Sequence, residues 1–221
     1  MFNTLILYFM LCSCPKKAAL TSIKTVVCPE KFGQIQKAAF VRLTNGTGVK
    51  NGFAKSTADI TKKTSWTKFL TASDDTKVVV TPYIEAPSGE AGEARTFGGG
   101  NETLGGIERI IGRNPSTFTG VFRDVPQEII KAIKELQCED GNLGVYLFDQ
   151  YGHVEALAGA ADGDALPIPI RSFFVSDKNH GNLESPDSNN VQWAFAPNYS
   201  DNLKIFVPTD FNPLTDLVVS E

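Results

Sequence analysis

The chain has 221 residues, of which 42% are hydrophobic and 21% charged, and its formal net charge is −4. This composition is typical of a globular protein with one well-filled core. The scattered lysines and arginines argue against a protein that grips nucleic acid, because such proteins carry a basic face. Fifteen phenylalanines, nineteen glycines and twelve prolines indicate a β-rich core with many turns.

The first third of the chain predicts two strands separated by a short helix. Residues 35–43 partly alternate between apolar and polar side chains, and turn-forming residues follow them. Residues 65–72 place their large apolar side chains on one helical face. Residues 77–84 form a second strand, in which Pro82 indicates an edge position or a bulge.

Residues 85–115 form the longest region without clear periodicity, and they contain eight glycines. A structureless loop of this length is unusual inside a compact domain, and is normally functional or disordered. Two short strands fit within it, around residues 93–97 and 107–111. The region is therefore predicted to be a long hairpin arm with glycines 98–100 at its tip.

Residues 125–137 give the strongest helix prediction. Asp124 and Gln127 match a capping box, and Pro126 suits a first turn. The predicted apolar stripe of this helix consists of Ile129, Ile133 and Leu136, with Ile130 beside it. The remaining predicted strands are residues 117–123, 143–148, 153–157, 166–175, 190–196 and 203–207.

This pattern predicts a mainly β fold, a sandwich or barrel with one flanking α-helix and a long extended loop. Residues 28–221 are expected to form a single β-rich domain that carries the loop 85–115. Residues 1–27 are expected to form an N-terminal arm.

The N-terminal arm leaves three interpretations open. Its apolar run at residues 5–11 is too short to span a bilayer. The run resembles the core of a secretion signal, with a loose lipoprotein box ending at Cys14, although no basic residue precedes it. Alternatively, the true start is Met10, or the segment packs on a partner.

Groups of residues that would indicate catalysis are nearly absent from the sequence. His153 and His180 each neighbour a glycine in a predicted turn, and we expect solvated side chains there. No nucleophile elbow or phosphate-binding loop is present. The cysteines lack paired zinc-ligand spacing, and we expect free thiols: Cys12, Cys14, Cys28 and Cys138. We therefore expect no enzyme activity, no cofactor and no metal.

Four segments resemble uncharacterised structural proteins of tailed bacteriophages and prophages from Bacteroides-type bacteria. They are residues 28–37, 65–70, 92–103 and 208–217, whose letters are CPEKFGQIQK, SWTKFL, GEARTFGGGNET and PTDFNPLTDL. The resemblance covers most of the chain after Ala18. The order of predicted elements is also similar to the phage tail tube family, in which a β-sandwich or barrel carries one flanking helix and a long loop.

The tail tube resemblance implies self-assembly into rings, usually hexameric, that stack into a conduit for phage DNA. DNA would pass without specific binding, no membrane would be involved, and other virion tail proteins would be partners. The protein would be located in the virion tail and assembled in the cytoplasm of the host bacterium. The residues expected to contact a neighbouring subunit lie in the hairpin arm within residues 85–115: Glu93, Arg95, Phe97, Gly98, Gly99, Gly100, Asn101 and Ile107.

Two alternatives to the tail tube remain open at this stage. One is another virion part, such as a capsid decoration, a head–tail connector or a baseplate subunit. The other is a secreted or lipid-anchored binding module.

Overall fold

The computed structural model describes residues 19–20, 22–25, 28 and 30–217. Most of the predicted N-terminal arm, with its apolar run and Cys14, lies outside these residues. Within them the chain is mainly β, as predicted, with twelve strands, two α-helices and three short 3₁₀ turns. The strands and helices are β1 (Ile35–Arg42), α1 (Lys63–Leu70), β2 (Val79–Val80), β3 (Glu85–Glu90), β4 (Ala94–Phe97), β5 (Arg109–Arg113), β6 (Ser116–Arg123), α2 (Gln127–Glu135), β7 (Leu143–Asp149), β8 (Val154–Ala158), β9 (Ala165–Leu166), β10 (Ile168–Val175), β11 (Ser188–Phe195) and β12 (Leu203–Phe206). The 3₁₀ turns are Leu104–Gly106, Leu136–Glu139 and Tyr199–Asn202.

The chain divides into two compact units. Glu30–Gly92 and the chain from Pro115 onward form one unit, which we call the body. Glu93–Asn114 belongs to the other unit and is called the arm. The body holds all the strands except β4 and β5, which pair with each other.

The body is built on one antiparallel sheet of ten strands, with the order β12-β8-β7-β10-β11-β6-β3 along its main path. β7 pairs with β1 along one edge and with β8 and β10 along the other. β10 starts beside β7 and continues beside β11, with an irregularity between Arg171 and Phe174. A strand that changes partners at such a bulge turns a corner, so the sheet folds over on itself.

Two backbone hydrogen bonds close the sheet into a barrel. The N–H of Thr81 donates to the carbonyl of Ala38 at 2.8 Å, and the N–H of Ile84 donates to the carbonyl of Gln36 at 2.8 Å. These bonds hold the chain that leads into β3 beside β1. The ring of strands is therefore β1, β7, β10, β11, β6 and β3, and closure protects edges that would otherwise pair with another chain.

A first hydrophobic core fills the barrel around Trp193, which stacks on Phe118 at 4.2 Å and meets Phe40 edge-on at 5.7 Å. A second core lies on the other face of β1, β7 and β8, where Trp66 of α1 contacts Tyr146. Every residue of β7 is buried. Its side chains alternate between the two cores, so this strand is covered on both faces.

The second predicted helix differs from α2 at both ends. α2 covers Gln127–Glu135 and a 3₁₀ turn follows it, so the regular helix is shorter than residues 125–137. Asp124 does not cap the helix, because Pro126 is the N-cap and no side chain caps it. Asp124 instead extends the strand ladder, since its N–H donates to the carbonyl of Asp187.

The buried face of α2 also differs from the predicted stripe. Ile130 and Ile133 are buried in the first core, whereas Ile129 is 39% exposed and Leu136 is partly buried. Ile133 belongs both to the predicted stripe and to the face that the structure buries. Docking of the helix selects the stripe that contains Ile130.

The predicted bounds of two strands and of the long loop are wrong. Of residues 77–84, only Val79–Val80 forms a strand, and it pairs with β1. Glu85–Glu90 is β3 and pairs with β6, so the excursion from the body is shorter than residues 85–115. The segment 166–175 is divided between β9 and β10 around Pro167, which has no N–H to give to a ladder.

Candidate interaction sites

The arm is a two-stranded ribbon that buries none of its residues. In β4 and β5, Phe97 lies opposite Arg109 and Thr96 opposite Ile110. No residue of Glu93–Asn114 falls in the buried class. An isolated two-stranded ribbon is at best marginally stable in water, so this element needs additional contacts to be well ordered.

Large apolar side chains are concentrated on the exposed surface of the arm. Ile110 is 63% exposed and Leu104 is fully exposed. The exposed apolar residues of the arm are Phe97, Leu104, Ile107, Ile110 and Ile111. Since soluble proteins seldom expose contiguous apolar surface without a partner, the arm is a candidate interaction surface.

The tip of the arm is a defined turn held by Thr103. The Oγ1 of Thr103 accepts a hydrogen bond from the N–H of Gly99 at 3.2 Å and donates one to the carbonyl of Ile107 at 2.8 Å. Gly98 has a φ of 96°, and a Cβ there would lie 2.3 Å from Thr103 Cγ2. Glycine is therefore required at this position, and the side chain that organises the tip is one the sequence analysis did not single out.

All the predicted inter-subunit contacts lie in the arm, and their role stays a prediction. Most of them are exposed, while Gly98 and Gly99 are half-buried. The eight residues are Glu93, Arg95, Phe97, Gly98, Gly99, Gly100, Asn101 and Ile107.

A cavity of about 470 Å³ lies at one end of the barrel, between β3, β6 and β8. We call it the barrel-mouth cavity. Six of its lining residues have large apolar or aromatic side chains: Phe32, Ile35, Phe118, Leu147, Phe195 and Tyr199. Two acidic residues, Glu90 and Glu155, also line it.

Glu155 is a carboxyl group of this cavity whose environment raises its pKa. It pairs with Leu147 across β7 and β8, so its side chain shares the face of the sheet that covers the first core. Burial and, second to it, the charge of Asp149 raise the pKa of Glu155 to about 7. Among the residues described, none forms an ion pair or hydrogen bond with its side chain.

Sequence reasoning missed Glu155 because an acidic residue between Val154 and Ala156 looks like the solvent face of an ordinary strand. The apolar run of β7 could have indicated otherwise. A strand without polar alternation is covered on both faces, and the strand beside it then shares that environment.

The buried Asp149 and the half-buried His153 form a pair that resembles part of a hydrolytic triad. The carboxylate of Asp149 accepts the backbone N–H groups of Gly33, Tyr151 and His153 at 2.8 to 2.9 Å, and lies 3.0 Å from Nδ1 of His153. The expectation of a solvated His153 is thus wrong. Within the described part of the chain, no serine or cysteine side chain hydrogen-bonds to this ring, so the pair fixes the β7–β8 turn.

Cys28 and Cys138 are free and exposed, while Cys12 and Cys14 lie outside the described residues. In the part of the chain that the structure describes, no three His, Cys, Asp or Glu residues come together in a metal-binding cluster. Over the same residues, no helix has both the length and the apolar character to cross a membrane.

No protein family model and no curated protein matches this chain. Two chains of solved structures do. One belongs to the virion of a native gene transfer agent particle, with 10% identity, a TM-score of 0.35, and coverage of 59% of this chain and 89% of that chain. The other belongs to the tail of an empty gene transfer agent particle with C6 symmetry, with 12% identity, a TM-score of 0.32, and coverage of 56% and 82%.

Proposed function

We propose that this protein is a non-enzymatic structural subunit of a bacteriophage-type particle, most specifically a tail tube subunit, whose copies assemble through the arm. The proposal is carried by one observation: the arm buries none of its residues and exposes five large apolar side chains. Such a surface is unfavourable in an isolated chain and becomes favourable when a second protein covers it.

A subunit role explains why the barrel and the arm differ so strongly. The body has two cores, and no residue of the arm belongs to either of them. The arm therefore contributes little to folding of the body. Its apolar residues gain most when they contact another copy, because that contact removes them from water.

The finer assignment is a set of hexameric rings stacked into a conduit for DNA. It is supported by the sequence resemblance to tail tube proteins and by the net charge of −4, since an acidic surface repels phosphates and lets DNA pass. The partners would be further copies and other tail proteins, and assembly would take place in the host bacterial cytoplasm.

Electron microscopy and analytical ultracentrifugation of the purified protein test this function. We expect rings or tubes for the natural sequence, and loss of assembly for Ile110→Ser. Leu183→Ser is the matched control, because Leu183 is likewise an exposed apolar residue but lies in the body. Closed particles or caps in place of tubes would indicate another virion part, and a sharp monomer at high concentration would overturn the proposal.

A further inference from the structure

The barrel-mouth cavity has the chemistry of a site for a cation on an apolar stem. Phe195 and Tyr199 stack at 4.4 Å between ring centroids in its wall, and the carboxyl group of Glu155 lies within it. Among the described lining residues there is no lysine or arginine. Aromatic rings beside an uncompensated carboxylate favour a guanidinium or ammonium group, with the aliphatic part of the side chain against the apolar wall.

The arm carries a side chain of this kind at its distal end. Arg109 is exposed, lies directly opposite Phe97, and is followed by the exposed Ile110. Among the described residues, no ion pair or hydrogen bond holds its guanidinium. Arg95 is a weaker candidate, because its Cδ lies 3.8 Å from where a Cβ of Gly112 would be, so its side chain crosses the ribbon.

We propose that the barrel-mouth cavity of one copy receives Arg109 from the arm of a second copy, with the guanidinium paired to the carboxylate of Glu155. This inference rests on the proposed self-assembly and names the two groups that give it specificity. Arginine suits this position better than lysine, because its planar fork binds a carboxylate through two hydrogen bonds and stacks on aromatic rings.

The electrostatic state of Glu155 supports an external partner. Burial raises its pKa to about 7, so the isolated chain holds this carboxylate at a cost. Among the described residues of the body, the one charge that acts on it is that of Asp149 on β7, which is also acidic. The other charged residue in the described cavity lining, Glu90 on β3, is acidic too. Since the described lining of the cavity holds no lysine or arginine, a cation that pairs with Glu155 would come from outside it.

Charge exchange between positions 109 and 155 tests the contact. The variants are Arg109→Glu, Glu155→Arg and the double variant, each compared with the natural sequence by sedimentation and electron microscopy. Each single variant should raise the concentration needed for assembly about ten-fold or more, and the double variant should restore it. Lys131→Glu reverses an exposed charge on α2 and should assemble normally.

Mixing the two single variants distinguishes contact between copies from contact within one chain. The arm of the Arg109→Glu variant carries an acidic group that suits the cavity of the Glu155→Arg variant, which is now basic. The arm of the Glu155→Arg variant keeps Arg109, which suits the unchanged cavity of the other variant. The mixture should therefore assemble at a concentration at which neither variant assembles alone.

The Arg109→Glu variant also separates loss of contact from loss of folding. This substitution changes no buried residue, because Arg109 is exposed. If its circular dichroism spectrum matches that of the natural sequence, failure to assemble cannot be attributed to misfolding.

Each outcome has one consequence. If the double variant assembles normally but the mixture of single variants does not, the contact lies within one chain and the inference is overturned. Normal assembly of both single variants would overturn it too, while the proposed function would stand. A natural sequence that stays monomeric would overturn both.

Discussion

The carboxyl group of Glu155 should make the stability of the isolated chain depend on pH. Its pKa is about 7 in the folded protein, against 4.5 ordinarily, mainly because of burial and then because of Asp149. The folded state therefore binds the proton more tightly than the unfolded state. The resulting stability is fully present below about pH 4.5 and is lost as the pH rises through about 7.

The size of this effect follows from the difference between the two pKa values, which is about 2.5. At about 1.4 kcal/mol for each pKa unit, the upper limit is about 3.5 kcal/mol. Glu155 is only half-buried and the barrel-mouth cavity is open to solvent, so screening by water reduces the value to about 1 to 2 kcal/mol.

Urea unfolding of Glu155→Gln and of the natural sequence measures the contribution of this carboxyl group to the free energy of unfolding. The chain is kept monomeric at low concentration. The glutamine cannot ionise, so the variant should gain about 1 to 2 kcal/mol over the natural sequence at pH 8.5 and much less at pH 5. Glu184→Gln, at an exposed loop position, is the control and should show no such difference.

Only the difference between variant and natural sequence is informative, because other groups titrate in the opposite sense. The pKa of Asp59 is lowered by a hydrogen bond from the backbone of Thr61, for example, and this stabilises the fold as the pH rises. A difference between Glu155→Gln and the natural sequence that is the same at pH 5 and pH 8.5 would refute the reasoning. It would mean that this carboxyl group is hydrated in the folded chain.

Two further predictions concern the stability of the body, and chemical denaturation measures both. Ile130→Ala should lower the free energy of unfolding by about 2 to 5 kcal/mol, since Ile130 is fully buried. Ile129→Ala, on the exposed side of α2, should lower it by less than about 1 kcal/mol. Equal losses would contradict the observed docking of the helix. Asp149→Asn should lower the free energy of unfolding by about 1 to 3 kcal/mol, because the amide would turn a donor toward the N–H of Gly33 in place of an acceptor. An unchanged midpoint of denaturation would contradict this.

Periodicity predicted the strands that have one clear buried face and failed where a strand has none. β6 and β11 alternate between buried and exposed residues, and both were predicted within two residues at each end. β3 has the sequence EAPSGE and buries none of its side chains, so its only reason to be extended is pairing with β6. That reason depends on a distant segment and leaves no local signal.

Of the two candidate sites, the arm was predicted from the sequence and the barrel-mouth cavity was not. The strands of the arm were expected from their residue types and surrounding glycines, because turn chemistry is local. The barrel-mouth cavity was not expected, because Phe32, Phe118 and Tyr199 meet there only when the barrel closes. A side chain such as Glu155 acquires its unusual environment from that closure, and no pattern within β8 encodes it.

The carboxylate at position 155 is difficult to explain as a contribution to folding, because an apolar side chain on the same face would stabilise the isolated chain more. Natural proteins keep such unfavourable groups where function requires them. The two proposals therefore make Glu155→Gln act in opposite directions: the monomer should become more stable, while assembly should become weaker. A purely structural role for Glu155 would change both in the same direction, so measuring unfolding and sedimentation on this one variant decides between the explanations.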